Sequence, residues 1–203
     1  MRLIAFLLVT ASYLVGAVPF GLLLSRSSGV DIRTRGSGNI GATNVARLLG
    51  KKMGILTLLL DVAKGFLPMF TTALVIGGGP DRNLIIALSG AASVIGHMYP
   101  LYLGFKGGKG VATGLGVFLY LAPLSVFFSL LLFIVAVALS GFVSLGSLLA
   151  SAAIPLWMYL SGEAGWKILL SCFIAVLIWL KHIPNIKRLL AGSEKSWKKG
   201  KSS

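Results

Sequence analysis

Carboxylates are scarce in this sequence: 5 Asp and Glu among 203 residues, against 19 Lys and Arg, with 2 His and 1 Cys. Each shortage removes a class of chemistry. A single cysteine forms no intrachain disulfide, and Cys172, inside an apolar run, is expected as a small buried side chain. Two histidines, no cysteine pair and so few carboxylates do not furnish a protein metal site, so neither a metal nor another cofactor is expected. The polar loops hold no Ser-His-Asp arrangement. Charged residues of both signs make up only 12% of the chain, while 56% is hydrophobic and mean hydropathy is +0.91, values no soluble domain of this size carries. The composition is that of an all-α integral membrane protein in which the lipid bilayer is itself a partner. The formal charge of +14 reports orientation first and an anionic partner second, and no nucleic-acid partner is expected.

The N-terminal apolar run is longer than the core of a signal peptide and has basic residues at its C-terminal end, so it reads as a retained first span with its N-terminus outside. Hydropathy alone outlines six apolar segments. Six crossings would separate the basic loop from Ser25 to Lys52 from the basic tail beyond Lys181, which the positive-inside rule wants on one side. The run 111–139 is too long for one span and carries Pro123 near its middle, so it is expected to break there. A single polytopic bundle of seven transmembrane helices follows, over residues 3–24, 53–76, 84–103, 111–122, 123–139, 143–160 and 164–180, with the C-terminus cytoplasmic. The cytoplasmic face then holds three motif loops and 15 of the 19 basic residues. Residues 193–203 read as a basic, frayed tail near anionic headgroups.

Three segments on that face are suited to anions. The first, "GSGNIGATNVAR", contains a literal G-x-G-x-x-G with Asp61 twenty residues past Gly41, but Asp61 falls in an apolar helix and no βαβ unit surrounds the glycines. What remains is local: glycines for close approach, a short helix opening at "ATNVARLLG", hydrogen-bond donors at Ser37, Thr43 and Asn44, and Arg47 for a bidentate grip. Gly38 and Asn39 complete its candidate phosphate contacts. The second, "GFKGGKGVATG", fails the P-loop pattern because Lys109 precedes Gly110 and residue 103 is Leu. It still sets Lys106 and Lys109 beside the amides of Gly107 and Gly108, expected to be open, ahead of a helix starting near Val111. The third, "KHIPNIKRLLAG", follows the last span; Pro184 stops or kinks the helix, and His182, Asn185 and Arg188 share one side. Inside the second span Asp61 and Lys64 form an i, i+3 pair, read as a neutralising ion pair with a site role as the alternative.

These three segments, in this order, with the second taken back to "GHMYPLYLGFKGGKGVAT" and with "LDVAKG" in the second span, resemble the signatures of the bacterial acyl-phosphate:glycerol-3-phosphate acyltransferases over essentially the whole chain. The resemblance implies a multi-pass enzyme of the bacterial inner membrane with a cytoplasmic active site. It implies two small-molecule substrates, glycerol 3-phosphate and a long-chain acyl phosphate, and as products lysophosphatidic acid and inorganic phosphate. It further implies that the essential serine and arginine are Ser37 and Arg47, the essential histidine and asparagine His182 and Asn185, and the glycerol phosphate loop Lys106, Gly107, Gly108 and Lys109. Arg188 is an added phosphate candidate, and the enzyme is expected to work as a monomer. The H-x-x-x-x-D signature of other glycerolipid acyltransferases is missing, since Asp follows neither His97 nor His182 by five residues. A mixed anhydride is already activated, so a strong protein base is dispensable and a substrate phosphate can accept the proton. The rival expectations are a transporter of a phosphorylated small anion, using Asp61 and Lys64, and a non-enzymatic scaffold for anionic headgroups.

Overall fold

A computed structural model describes residues 2–197, and every regular element among them is helical. The chain divides into two compact units, Met1–Tyr120 and Leu121–Ser203.

The first unit begins with α1 (Arg2–Ala17) and α2 (Phe20–Ser27), separated at Val18 and Pro19, where proline cannot continue the helical ladder. The first apolar run, expected as one helix over 3–24, is thus broken. The short α3 (Ala42–Leu49) and the long α4 (Lys51–Val75) share Gly50, whose φ of 88° turns the chain between them. Then come α5 (Arg82–Met98), a 3-10 turn at Leu101–Leu103, and α6 (Val111–Leu121). The outward faces are large and apolar, with Leu3, Phe6, Leu59 and Leu74 all exposed, whereas the packed faces are small and polar, including Ser12, Thr57, Thr72, Ser89 and Ser93. This inversion suits a lipid solvent, in which apolar side chains gain nothing by leaving the surface and helices adhere through close backbone approach and hydrogen bonds. Thr72 bonds Ser89 at 3.0 Å, and Ser93 donates to the Ser12 carbonyl of α1 at 3.3 Å. A Cβ at Gly16 would run into the Ser93 carbonyl, and one at Gly96 into the Tyr13 carbonyl, so α1 and α5 meet at a contact only glycine permits.

The second unit contains α7 (Pro123–Ser140), α8 (Val143–Leu160), α9 (Gly165–Lys181) and α10 (Ile183–Leu190). Pro123 is in the first turn of α7, where its missing N–H costs nothing, and Ala122 before it is non-helical at φ −156°, ψ 69°. Between α9 and α10 the chain bends by 58°, with Pro184 in the first turn of α10. Lys167 ties the unit together, donating to Glu163 at 2.6 Å and to the Leu121 carbonyl at 2.9 Å. Cys172 is exposed on α9 rather than buried, because in a membrane an apolar run does not distinguish an inward from an outward face.

A helix lies within each of the seven expected apolar segments, and five helical stretches among the described residues are long and apolar enough to cross a membrane, or six if α9 and α10 make one bent span. The 11 residues of α6 reach only about 16 Å at 1.5 Å per residue, about half of a typical hydrocarbon core.

The α1–α5 contact can be tested by adding volume. Gly16→Val should cost on the order of 1–3 kcal/mol and lower the detergent-solubilised melting temperature, while Leu59→Val on the outer face should leave it nearly unchanged. Equal melting of the two variants would show that the close approach is not where stability resides.

Candidate active site

In the first loop one side chain organises the backbone. Asn44, buried on α3, donates from Nδ2 toward the carbonyls of Ile32 at 3.1 Å, Arg35 at 3.2 Å and Asn39 at 3.0 Å, and its Oδ1 accepts the Ser37 amide at 2.9 Å. Leu22, Ile32, Ile40 and Val45 form an apolar cluster beneath the loop. Both ends of the Asn44 amide, expected as a phosphate donor, are engaged in shaping the loop. Asn39 accepts the Gly41 amide on its Oδ1 at 2.9 Å. Ser37, Gly38 and Arg47 are exposed, and Thr43 is half-buried. The Ser37 backbone is pinned by Asn44 while its hydroxyl receives only a long 3.4 Å contact from the Asn39 amide.

Charge in this loop is sorted by Asp31, which sits 2.6 Å from Arg33 and 3.8 Å from Arg26. Hydrogen bonds from the Arg33 side chain and amide hold its carboxyl well below the usual carboxylate range, so it stays ionised. Arg47 has no ion-pair partner among the described residues.

The glycine–lysine loop folds back on the end of α5. The amide of Gly107 donates to the Met98 carbonyl at 3.2 Å and that of Gly108 to the His97 carbonyl at 3.0 Å, so the open amides expected there are already spent. What the loop offers an anion is cationic charge, from exposed Lys106 and half-buried Lys109, ahead of the first turn of α6. Leu103, three residues before Lys106, packs on the apolar cluster under the first loop, which brings these two segments side by side within the first unit.

The same unit buries an ionic cluster. Asp61 Oδ1 lies 2.9 Å from Lys64 Nζ and 3.7 Å from His97 Nδ1, all three at least 95% buried. Lys64 also donates to the Val18 carbonyl at the α1–α2 break, at 2.8 Å, and lies 5.7 Å from the Phe20 ring centroid. Reading the sequence missed His97, although it opens the second segment; no local pattern links it to an aspartate 36 positions earlier.

The third segment belongs to the second unit. His182 stands at the α9–α10 bend, and its Nδ1–H donates to the Ile178 carbonyl at 2.8 Å, which leaves the lone pair on Nε2 in the neutral ring. Asn185 is buried and donates from Nδ2 to Glu194 Oε1 at 2.6 Å, while its own Oδ1 is buried without a hydrogen-bond partner among the described residues. Glu194 also accepts from Ser144 at 2.8 Å and from Arg188 Nε at 2.7 Å. Arg188, expected on a phosphate, is thus engaged by a carboxylate. Burial favours the protonated acid, but the bonds from Asn185, Ser144 and Arg188 outweigh it and hold Glu194 below the ordinary glutamate range. The described part of the basic tail is held rather than frayed: the Trp197 amide donates to the Gly141 carbonyl at 2.7 Å. The remaining tail lysines, Lys198, Lys199 and Lys201, lie outside the described residues.

Comparison with known proteins adds a strong likeness. The family model for glycerol-3-phosphate acyltransferases matches residues 6–192. A glycerol-3-phosphate acyltransferase of Desulfotalea psychrophila is 59% identical over 96% of this chain and 98% of its own, and one of Geobacter sulfurreducens is 48% identical over 95% and 97%. A crystal structure of PlsY, an integral membrane glycerol 3-phosphate acyltransferase, in its glycerol 3-phosphate form matches with a TM-score of 0.89 and 42% identity, covering 95% of this chain and 94% of that one. The lysophosphatidic acid form matches at 0.87 and 41%, over the same shares.

The Glu194 contacts make a pH prediction. Because its pKa is depressed in the folded state, its contribution to stability is present above the ordinary value of about 4.3 and is lost as pH falls through the lowered one. Thermal melts from pH 7 downward should show the wild type losing stability in that acidic window, and Glu194→Gln should start less stable and lose less there. Parallel curves for the two proteins would deny the coupling.

Proposed function

Because the chain belongs to the glycerol-3-phosphate acyltransferase family, we propose that it transfers a fatty acyl group from acyl phosphate to the 1-hydroxyl of glycerol 3-phosphate, giving lysophosphatidic acid and inorganic phosphate. The observation that carries this reading is the match over 95% of the chain to a protein described in both a glycerol 3-phosphate form and a lysophosphatidic acid form, the substrate and the product of that transfer. The reaction begins phospholipid synthesis.

The chemistry follows from the groups present. The 1-hydroxyl oxygen attacks the acyl carbonyl carbon, an oxyanion develops on the carbonyl oxygen, and the bond to the phosphate oxygen breaks as phosphate leaves with the electron pair. Two anionic substrates repel, so the main task is electrostatic. Lys106 and Lys109 take the glycerol phosphate through charge, since the Gly107 and Gly108 amides serve the fold. Arg47 screens the second phosphate. Ser37, whose backbone Asn44 immobilises, donates to the developing oxyanion. The Asn185 amide oxygen, left without a partner among the described residues, accepts from a substrate hydroxyl. A phosphate oxygen of a substrate takes the hydroxyl proton, and His182, oriented by Ile178, stabilises polar groups of the substrates. The enzyme acts as a monomer in the bacterial inner membrane, seven spans placing the motif loops on the cytoplasmic side, as the distribution of basic residues favours.

A transporter reading would need Asp61 and Lys64 to receive an anion at depth. Each neutralises the other at 2.9 Å, and Lys64 is also committed to Val18, so the pair has no net charge to offer. A scaffold reading would make only total charge matter.

Phosphate release from palmitoyl phosphate by purified protein should depend on added glycerol 3-phosphate, yield lysophosphatidate, and fall at least about 100-fold in Ser37→Ala and Lys106→Ala. Release without the acceptor, or activity that tracks net charge irrespective of position, would remove the reading. If a substrate phosphate is the base, the pH–rate inflection should survive in His182→Gln; were His182 the base, the inflection would vanish with a loss of about 10² to 10⁴ in kcat.

A further inference from the structure

The buried Asp61 cluster is unused by the chemistry above, and its position is costly. A salt bridge in an apolar span gains little over a hydrophobic replacement, because two charges must be stripped of solvent to form it. This one is aimed at backbone. On one side Lys64 meets the Val18 carbonyl, where α1 gives way to α2. On the other, Asp61 faces the ring of His97 at 3.7 Å, and His97 touches the glycine–lysine loop twice. Its carbonyl accepts the Gly108 amide at 3.0 Å, and its ring lies so close to Gly108 that an added Cβ would land on Nε2. The residue next to Gly108 on each side is a glycine or a lysine of the loop. One carboxylate therefore lies 3.7 Å from the imidazole against which the loop is laid, close enough to act on it through charge, and Lys64 keeps that carboxylate neutralised at depth.

We propose that His97, held by the Asp61–Lys64 pair, is a positioning residue that sets the glycine–lysine loop at the height where its lysines meet the glycerol 3-phosphate phosphate. The functional half of this proposal rests on the reading of that loop given above; the mechanical half does not. The cluster touches no reacting atom, so it governs acceptor affinity rather than the acyl-transfer step.

Two measurements separate the halves. Steady-state phosphate release should show His97→Gln raising KM for glycerol 3-phosphate by about tenfold, with kcat and KM for palmitoyl phosphate within about threefold. Gly108→Ala should do the same, and the double variant should be no worse than the worse single, because both act through one contact. Asp61→Asn with Lys64→Met removes the pair without stranding a charge, so it carries the same test if His97→Gln does not accumulate. Amide exchange without substrate should speed up in the 104–110 segment of His97→Gln and of the neutral pair, and stay unchanged across residues 36–47. Unchanged exchange in the 104–110 segment would overturn the proposal whatever the kinetics. So would additive effects of His97→Gln and Gly108→Ala, or a fall in kcat with both KM values unchanged, accompanied by lower melting. If the wild type shows no acceptor-dependent release, the function above fails on its own, and exchange still decides whether His97 holds the loop.

Discussion

Backbone that leaves helical geometry beside hydrocarbon must find its hydrogen-bond partners inside the protein, because no water waits there to supply them. At the α1–α2 break a single side chain meets this constraint, and in the loops beyond the spans single side chains likewise gather several groups. Asn44 collects the carbonyls of Ile32, Arg35 and Asn39 together with the Ser37 amide. Lys64 answers the Val18 carbonyl at a helix break while neutralising Asp61. Glu194 draws Ser144, Asn185 and Arg188 together in the second unit.

The same economy explains why carboxylates are few and why none is available as a catalytic base. Of the 5 acidic residues, Asp31, Asp61, Glu163 and Glu194 are each in an ion pair, and the fifth, Asp81, sits exposed ahead of α5 at the far end of that helix from the glycine–lysine loop. The activated acyl donor proposed above would make that tolerable. What the loops must provide is positive charge held still. Exposed Arg47 and Lys106 supply the charge, while the groups behind them supply the rigidity.

Much of this was legible in one dimension. Apolar runs mark helices wherever the solvent is lipid, Pro123 and Pro184 mark where those helices begin again, and the three polar segments stand out because glycine and lysine are out of place between such runs. Membership of the family was legible too, since the three segments in order sufficed for it. Inward and outward faces were not: Cys172 lies in an apolar run and is exposed, because hydropathy carries no facing information in a membrane.

The sequence by itself determined the helical class, the segments that bear chemistry and the shortage of acid that rules out several mechanisms, because these follow from composition and from neighbours along the chain. Tertiary structure alone decided who holds whom. It made Asn44 a clamp for its loop, closed the Gly107 and Gly108 amides on the end of α5, paired Arg188 with a glutamate in a tail expected to fray, and set His97 against Asp61. A polar group's first obligation in a membrane is to whichever partner the fold brings near, and residues 36 positions apart become partners only when α4 and α5 pack together.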